Sequence, residues 1–445
     1  MSNRWKNWSE SVQAEPQEIR YPTSQEEISA IVKEAEARHL KVRVVGAGHS
    51  FTPLVQTDGI LVNLDRYNGI EAVNREKGQV TVRAGTRLKA LGKALLACGL
   101  AQPNLGDIDV QSIAGAISTG THGTGATLGS LSTQVAGLTL VTAGGRVLEC
   151  TEENNPEIFK AAQVSLGALG IISKVTLQLV PAFRLRYEWR RESLRKCLAN
   201  LEQYVRDNRH FEFYWAPYTD TVLLKFQNPT EQKPDSQKNF LRWFNDMVMD
   251  NGALWVVSEI SRHFPQYVPD ISRVIGALIS GGSDVNYSYK IFATKRMVKF
   301  NEMEYNLPVE NFSQAIQEVD ETIRQKRFLV HFPVECRFVH EDDIFLSPAY
   351  GRASAYIAVH MYKGMEHRPY FEAMEDIFKK YEGRPHWGKM HNRTAEDLRQ
   401  LYPEWERFQA VRQELDPEGL FLNDHLKTLF SGTSPVSTAN AAAAN

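Results

Sequence analysis

The stretch KVRVVGAGHSF (Lys41–Phe51) is where the reading of this chain turns. Lys41–Val45 is rich in β-branched residues, reads as a strand, and runs without a spacer into Gly46-Ala47-Gly48-His49-Ser50. Upstream, Ser24 with Glu27 three residues on forms a capping-box signature, and Ile28, Ile31, Val32 and Ala35 recur at helical spacing until His39. A strand ending on two close glycines suggests a dinucleotide loop. Gly46 and Gly48 fit the first two glycines of G-x-G-x-x-G, and Asp65 lies near the distance expected of a ribose-binding acid. Phe51 stands where the third glycine belongs, however, and the loop comes after a full helix and strand. A plain Rossmann NAD site is therefore disfavoured.

A second stretch, SIAGAISTGTHGTG (Ser112–Gly125), is made almost wholly of small residues. Glycines let consecutive backbone N–H groups converge on phosphate oxygens, and a backbone stripped of side chains admits a large ligand closely. Small residues equally permit tight packing of loop on strand, and residue chemistry alone does not choose between the two. Two such loops in one domain favour a large phosphorylated cofactor. His49 and His122 sit inside the loops, where a lone histidine is commonly a hydrogen-bonded structural residue.

Around these loops, Gly59–Leu64, Gln79–Ala84, Val135–Thr142, Arg146–Glu149 and Ile171–Leu179 read as strands, with Gly144-Gly145 as a hairpin turn and Arg87–Cys98 as a helix. Beyond Pro181 the chain becomes rich in tryptophan and tyrosine, which places a domain boundary near 180–185. Strands are expected at Phe211–Trp215, Thr221–Phe226, Phe338–Val339 and Ala355–Tyr362, and helices at Val309–Arg327, Tyr370–Tyr381 and Trp405–Leu415. The 445 residues suggest two to three domains, and Ser431–Asn445 reads as a disordered tail. With 51 basic and 53 acidic residues the net charge is −2, so the field needed to hold a nucleic acid is lacking. No apolar run approaches the roughly 20 residues of a membrane span, and MSNRWKNWSE has no signal core. Cys98, Cys150, Cys197 and Cys336 form no CxxC pair, which fits buried thiols in a reducing cytoplasm and neither a disulfide framework nor a metal site.

VVGAGHSFTPL (Val44–Leu54), SIAGAISTGTHGTG (Ser112–Gly125), SLGALGIISKVTLQLVP (Ser165–Pro181), Glu335-x-Arg337 and HWGKMH (His386–His391) together resemble the vanillyl-alcohol-oxidase-type (PCMH-type) flavoproteins, within them the sugar-1,4-lactone and alditol oxidase branch. The similarity runs in order from about Ile19 to Leu429. The resemblance implies an α+β fold. Residues 1–182 would form an FAD-binding domain of two subdomains, and 183–415 a cap with a large antiparallel sheet flanked by helices. Residues 416–432 would return to the FAD domain, with 433–445 as the tail. It implies FAD joined covalently through His49. Gly46, Ala47, Gly48, Ser50 and Phe51, then Ser112, Gly115, Ala116, Ile117 and Ser118, then His122, Gly123 and Thr124 would wrap it. Ile172 would lie toward the adenine and His386 near the flavin ring.

For substrate the resemblance points to Ser112, Glu335, Arg337 and Lys389, the last three catalytic. Glu335 and Arg337, two apart on a strand, share one face, and their pairing is expected to keep the carboxylate ionised. Taken without the family, that pair reads as an exposed cross-strand contact and Lys389 as a surface charge. Proton acceptance is left between Glu335 and solvent. His360 stands where polyol-oxidising relatives tend to carry a smaller hydroxyl residue, which favours a ring-shaped lactone. The expected reaction takes an L-gulono-, L-galactono- or D-arabinono-1,4-lactone to an ascorbate-type enediol, with O2 reduced to H2O2. The alternatives are an alditol oxidase acting on xylitol or sorbitol, and a same-fold dehydrogenase using another acceptor. A catalytically silent flavin-binding module is disfavoured by the charged trio.

Overall fold

The computed structural model describes residues 4–234, 251–278, 280–294 and 296–432; the tail expected at 433–445 lies outside the described residues. The first helix, Gln25–Ala37, forms as its sequence dictates, with Ile28, Ile31, Val32 and Ala35 all buried. Only half of the capping box is made. Ser24 Oγ accepts the Glu27 N–H at 3.2 Å, but the Glu27 carboxylate takes the Thr23 N–H at 2.6 Å. The helix packs beside a small parallel sheet ordered Glu18–Arg20, Ile60–Asn63, Val42–Val45. A five-stranded antiparallel sheet follows, ordered Val147–Cys150, Val135–Val141, Ile171–Gln178, Gln79–Arg83, Ile70–Asn74. Its hairpin turns through Gly144 and Gly145 at φ 72° and 67°, a conformation that favours glycine at both positions. One hydrophobic core joins these two small sheets.

The second half is an eight-stranded antiparallel sheet, ordered Gly282–Tyr287, Arg184–Ser193, Thr221–Pro229, His210–Trp215, Val334–Val339, Ser354–Tyr362, Phe300–Pro308, Arg384–Pro385. Strand alternation gives it two unlike faces. Phe213, Trp215, Val334, Cys336, Phe338, Ile357 and Leu307 point one way and form a second core with helices Phe312–Lys326 and Arg368–Lys380. The opposite face is polar and looks toward the first half. The fold is thus α+β with a large antiparallel sheet. The sequence reading does not include Arg184–Ser193 and Phe300–Pro308, although charged and apolar residues alternate along both (RLRYEWRRES, FNEMEYNLP) at the strand period.

The chain rejoins the first core earlier than Asp416. Trp387, Leu398, Tyr402, Trp405 and Phe408 already pack there, because these large aromatics find their partners on the first-core side. The Arg43 guanidinium, buried, fastens this return by donating to the carbonyls of Leu54, Leu166, Gly167 and Phe421. The four cysteines are free, and among the described residues no helix is long and apolar enough to cross a membrane.

Candidate active site

The two small-residue stretches meet. Gly46–Ser50, leaving the Val42–Val45 strand, faces Ser112, Gly115 and Ser118 across a cavity of about 970 Å³, with Ile172 also in its wall. The second stretch is not simply a loop. Ile113–Ser118 is a short helix whose N-cap is Ser112, its Oγ accepting the Gly115 N–H at 3.3 Å. Small residues here serve both readings at once. Ala116 and Ile117 are fully buried in the first core, while Gly115 and Ser118 line the cavity. A Cβ on Gly46 would stand 2.4 Å from Ser112 Oγ, so only glycine lets the walls approach this closely. A cradle this bare of side chains on two sides fits a large phosphorylated cofactor such as FAD.

Not every expected residue lies on that wall. Phe51 is beside it, its N–H donated to Gly388 O at 2.7 Å. Gly123 is tucked against Asn104, and the Thr124 hydroxyl donates to Phe211 O, tying the stretch to the large sheet. His122 stacks on Tyr356 with ring centroids 3.7 Å apart and meets Glu304 Oε1 at 3.1 Å. His386, also near Glu304, accepts the Gly388 N–H at 3.0 Å.

His49 lies at the cavity's end, stacked on Trp8 at 5.1 Å and 21° between planes. Burial, then the positive charges of Lys389 and Arg87, push its pKa down to about 4 against the pull of Glu302. Its ring is therefore neutral at pH 7 and keeps a free lone pair. Lys389 reaches this place because its backbone is clamped on both sides. His386 and Met390 donate their N–H groups to Glu304 O (3.0 Å) and Glu302 O (2.9 Å), and Thr52 Oγ donates to Trp387 O at 3.0 Å. Lys389 Nζ then pairs with Glu302 at 2.5 Å and lies 5.2 Å from the Phe51 ring centroid. At Glu302, burial and the neighbouring Glu304 favour the protonated form, but Lys389 and His360 together outweigh them and its pKa falls to about 2.

The polar face of the large sheet carries the rest. Register sets Glu212 beside Arg337, Tyr214 beside Glu335, and Glu302 beside His360, all on one side. His360 Nε2 is 3.5 Å from Glu302, and its ring meets Phe300 edge-on at 5.0 Å. Glu335 and Arg337 touch, as expected from their spacing. The pairing does not pull the carboxyl below its ordinary pKa, though: burial, reinforced by Asp107 and Glu212, outweighs Arg337 and raises the proton affinity of Glu335. Asp107, Glu212, Tyr214, Arg296, Glu302 and Glu304 were not anticipated from sequence. The signal that could have found three of them is acids alternating with large apolar residues in FEFYW and FNEMEYN.

This arrangement, a bare-backbone cavity bordered by a neutral histidine and a lysine beneath a buried charged sheet, has relatives. The D-arabinono-1,4-lactone oxidase family matches residues 175–429 and the FAD binding domain matches 16–151. The chain is 43% identical over 427 residues to a protein named L-gulono-1,4-lactone dehydrogenase from Mycobacterium tuberculosis, covering 96% of this chain and 99% of that one. It is 38% identical over 434 residues to a protein named L-gulonolactone oxidase from Bos taurus, covering 96% and 98%. In structure it is similar to a cholesterol oxidase from Brevibacterium sterolicum, with TM-score 0.81, 19% identity and 97% of each chain covered; at that identity the likeness is one of fold. By its sequence along nearly the whole length, the chain belongs to the D-arabinono-1,4-lactone oxidase family and carries its FAD-binding domain.

Proposed function

We propose that this protein oxidises an aldono-1,4-lactone of the gulono, galactono or arabinono type to an ascorbate-type product. The observation that carries this reading is the junction of the glycine-lined cavity with the buried charged face at Lys389, beside His49. FAD, when bound, supplies the two-electron acceptor for the carbinol hydrogen. Residues 1–182 hold it, chiefly through Gly46–Ser50, Ser112, Gly115, Ser118 and Ile172, and the large sheet covers it. Arg337 and Lys389 lower the cost of negative charge on the reacting oxygen. Glu335, kept protonatable by its burial, accepts the hydroxyl proton. Ser112 still has its hydroxyl hydrogen to donate to a substrate oxygen. His360, walled by Phe300 and Glu302, narrows the pocket toward a ring rather than a linear polyol.

We assign the FAD attachment to His49, whose neutral, buried ring offers the nucleophilic nitrogen that a bond to the flavin's 8α carbon requires. Electrons pass to O2 to give H2O2; the dehydrogenase name of the Mycobacterium tuberculosis relative supports a second reading, with an acceptor other than O2. The free cysteines suit a reducing cytoplasm.

Anaerobic flavin bleaching across lactones and alditols tests the substrate class; bleaching by alditols alone would reverse the assignment. Admitting air to the bleached enzyme then reads the acceptor: rapid recovery with stoichiometric peroxide marks an oxidase, slow recovery a dehydrogenase. Acid-precipitated protein should be yellow and the His49→Ala pellet white. A yellow His49→Ala pellet removes His49 from the linkage.

A further inference from the structure

The contact between Glu335 and Arg337 is an ion pair without a hydrogen bond. Glu335 Oε1 and Arg337 Nη2 touch, yet both atoms are buried and neither has a hydrogen-bond partner among the described residues. The guanidinium is held elsewhere. Its Nε donates to Glu212 Oε2 at 2.9 Å, and Nη2 lies 2.7 Å from Asp107 Oδ1. Asp107 comes from the other half of the molecule, on the segment leading to Ser112. Its second oxygen accepts from the Tyr214 hydroxyl at 2.8 Å and from Arg296 at 2.9 Å, and its carbonyl accepts the Thr294 N–H at 2.9 Å. Lys225 holds the far oxygen of Glu212 at 2.9 Å. Carboxylate oxygens of Asp107, Glu212 and Glu335 lie within 4.8 Å of one another.

We infer that Asp107, with Glu212, is a positioning residue that turns the Arg337 guanidinium away from full pairing with Glu335 and leaves Glu335 open to the substrate's hydroxyl proton. This rests on the assignment of Glu335 and Arg337 to substrate made above. An arginine facing one carboxylate would satisfy it bidentately and quench its basicity. Here one nitrogen is shared between two carboxylates, and neither Glu335 Oε1 nor Arg337 Nη2 is saturated by a hydrogen bond. The charges facing Glu335 are Arg337 on its own strand, Glu212 and Tyr214 on the neighbouring strand, Lys225 beyond it, Asp107 on the loop and Arg296 on the segment before Phe300. Removing a negative neighbour and removing a positive one must then act in opposite directions.

The test is the pH profile of kcat/KM, whose acid limb reports ionisation of Glu335. Asp107→Asn should move that limb to lower pH by about one unit and lower kcat about tenfold, and Arg296→Met should move the limb to higher pH. Infrared titration of the Glu335 carboxyl band, assigned by its loss in Glu335→Gln, should give the same order of midpoints without substrate. If Glu335→Gln keeps full turnover, the underlying assignment fails. If Glu335→Gln is inactive while the Asp107→Asn and Arg296→Met profiles superimpose on the parent, that assignment stands and this inference falls. Should Asp107→Asn fail to fold, Arg296→Met decides: a limb moved upward supports the inference, an unmoved one overturns it.

Discussion

One added methyl group at Gly46 would bring the two walls of the cavity into conflict. A Cβ there would stand 2.4 Å from Ser112 Oγ and 3.4 Å from Ser112 Cβ. Ser112 is not free to yield, because the same oxygen caps the Ile113–Ser118 helix through the Gly115 N–H. Turning the hydroxyl aside gives up the cap, at about 1 kcal/mol. Keeping it forces an overpacked contact, at about 1–3 kcal/mol. Gly46→Ala should therefore destabilise the protein by about 1 kcal/mol, the cheaper of the two routes. Ser112→Ala loses the cap once but removes the clashing oxygen, leaving the new methyl facing a Cβ at 3.4 Å, the edge of ordinary contact. The double variant should then be little worse than Ser112→Ala alone, giving a coupling of about 1 kcal/mol. Urea unfolding of the four proteins, read at the transition of the first core, measures the cycle. Additive effects would show that the two walls do not press on each other at this point and would refute the close approach.

Acid should unfold this protein early. His210, His331 and His386 are 1%, 2% and 5% exposed, and burial pushes their pKa values from 6.5 to about 4, 4 and 3. The unfolded chain binds protons that these rings refuse, so stability is full above pH 6.5 and falls as the pH drops toward 4, by about 2 kcal/mol per ring at pH 5. Equilibrium unfolding at pH 7.5 and pH 5 checks this; equal stability at the two values would mean the rings are already charged in the fold. Arg43→Met strands four buried carbonyls and should cost about 3 kcal/mol or more, and Arg43→Lys should not restore it, since one ammonium cannot reach all four. A Lys variant as stable as the parent in thermal unfolding would contradict that. Lys389→Met should keep its flavin and lose turnover; normal kcat would remove Lys389 from the chemistry.

Local order was legible because it depends on neighbours in sequence. The helix at Gln25–Ala37, the strand into Gly46, the Gly144-Gly145 turn and the buried stripe of Phe312–Lys326 follow from periodicity and turn chemistry over a few residues. Glu335 and Arg337 could be put on one face for the same reason. The short helix inside Ser112–Gly125 was hidden because its composition serves a loop equally well. Arg184–Ser193 and Phe300–Pro308 were passed over although charged and apolar residues alternate along both at the strand period.

Sequence alone determined which residues have the chemistry: a glycine-rich backbone for a large cofactor, an imidazole within it, and an acid, an arginine and a lysine far along the chain. Only the tertiary structure decided how those groups behave. It paired Lys389 with Glu302 rather than Glu335, brought Asp107 and Arg296 from distant segments against Arg337, and stripped water from Glu335 so that its proton affinity rises instead of falling. A residue's type fixes what it can donate or accept, but its charge state depends on every neighbour within a few ångströms and on the water excluded around it, and folding alone assembles those.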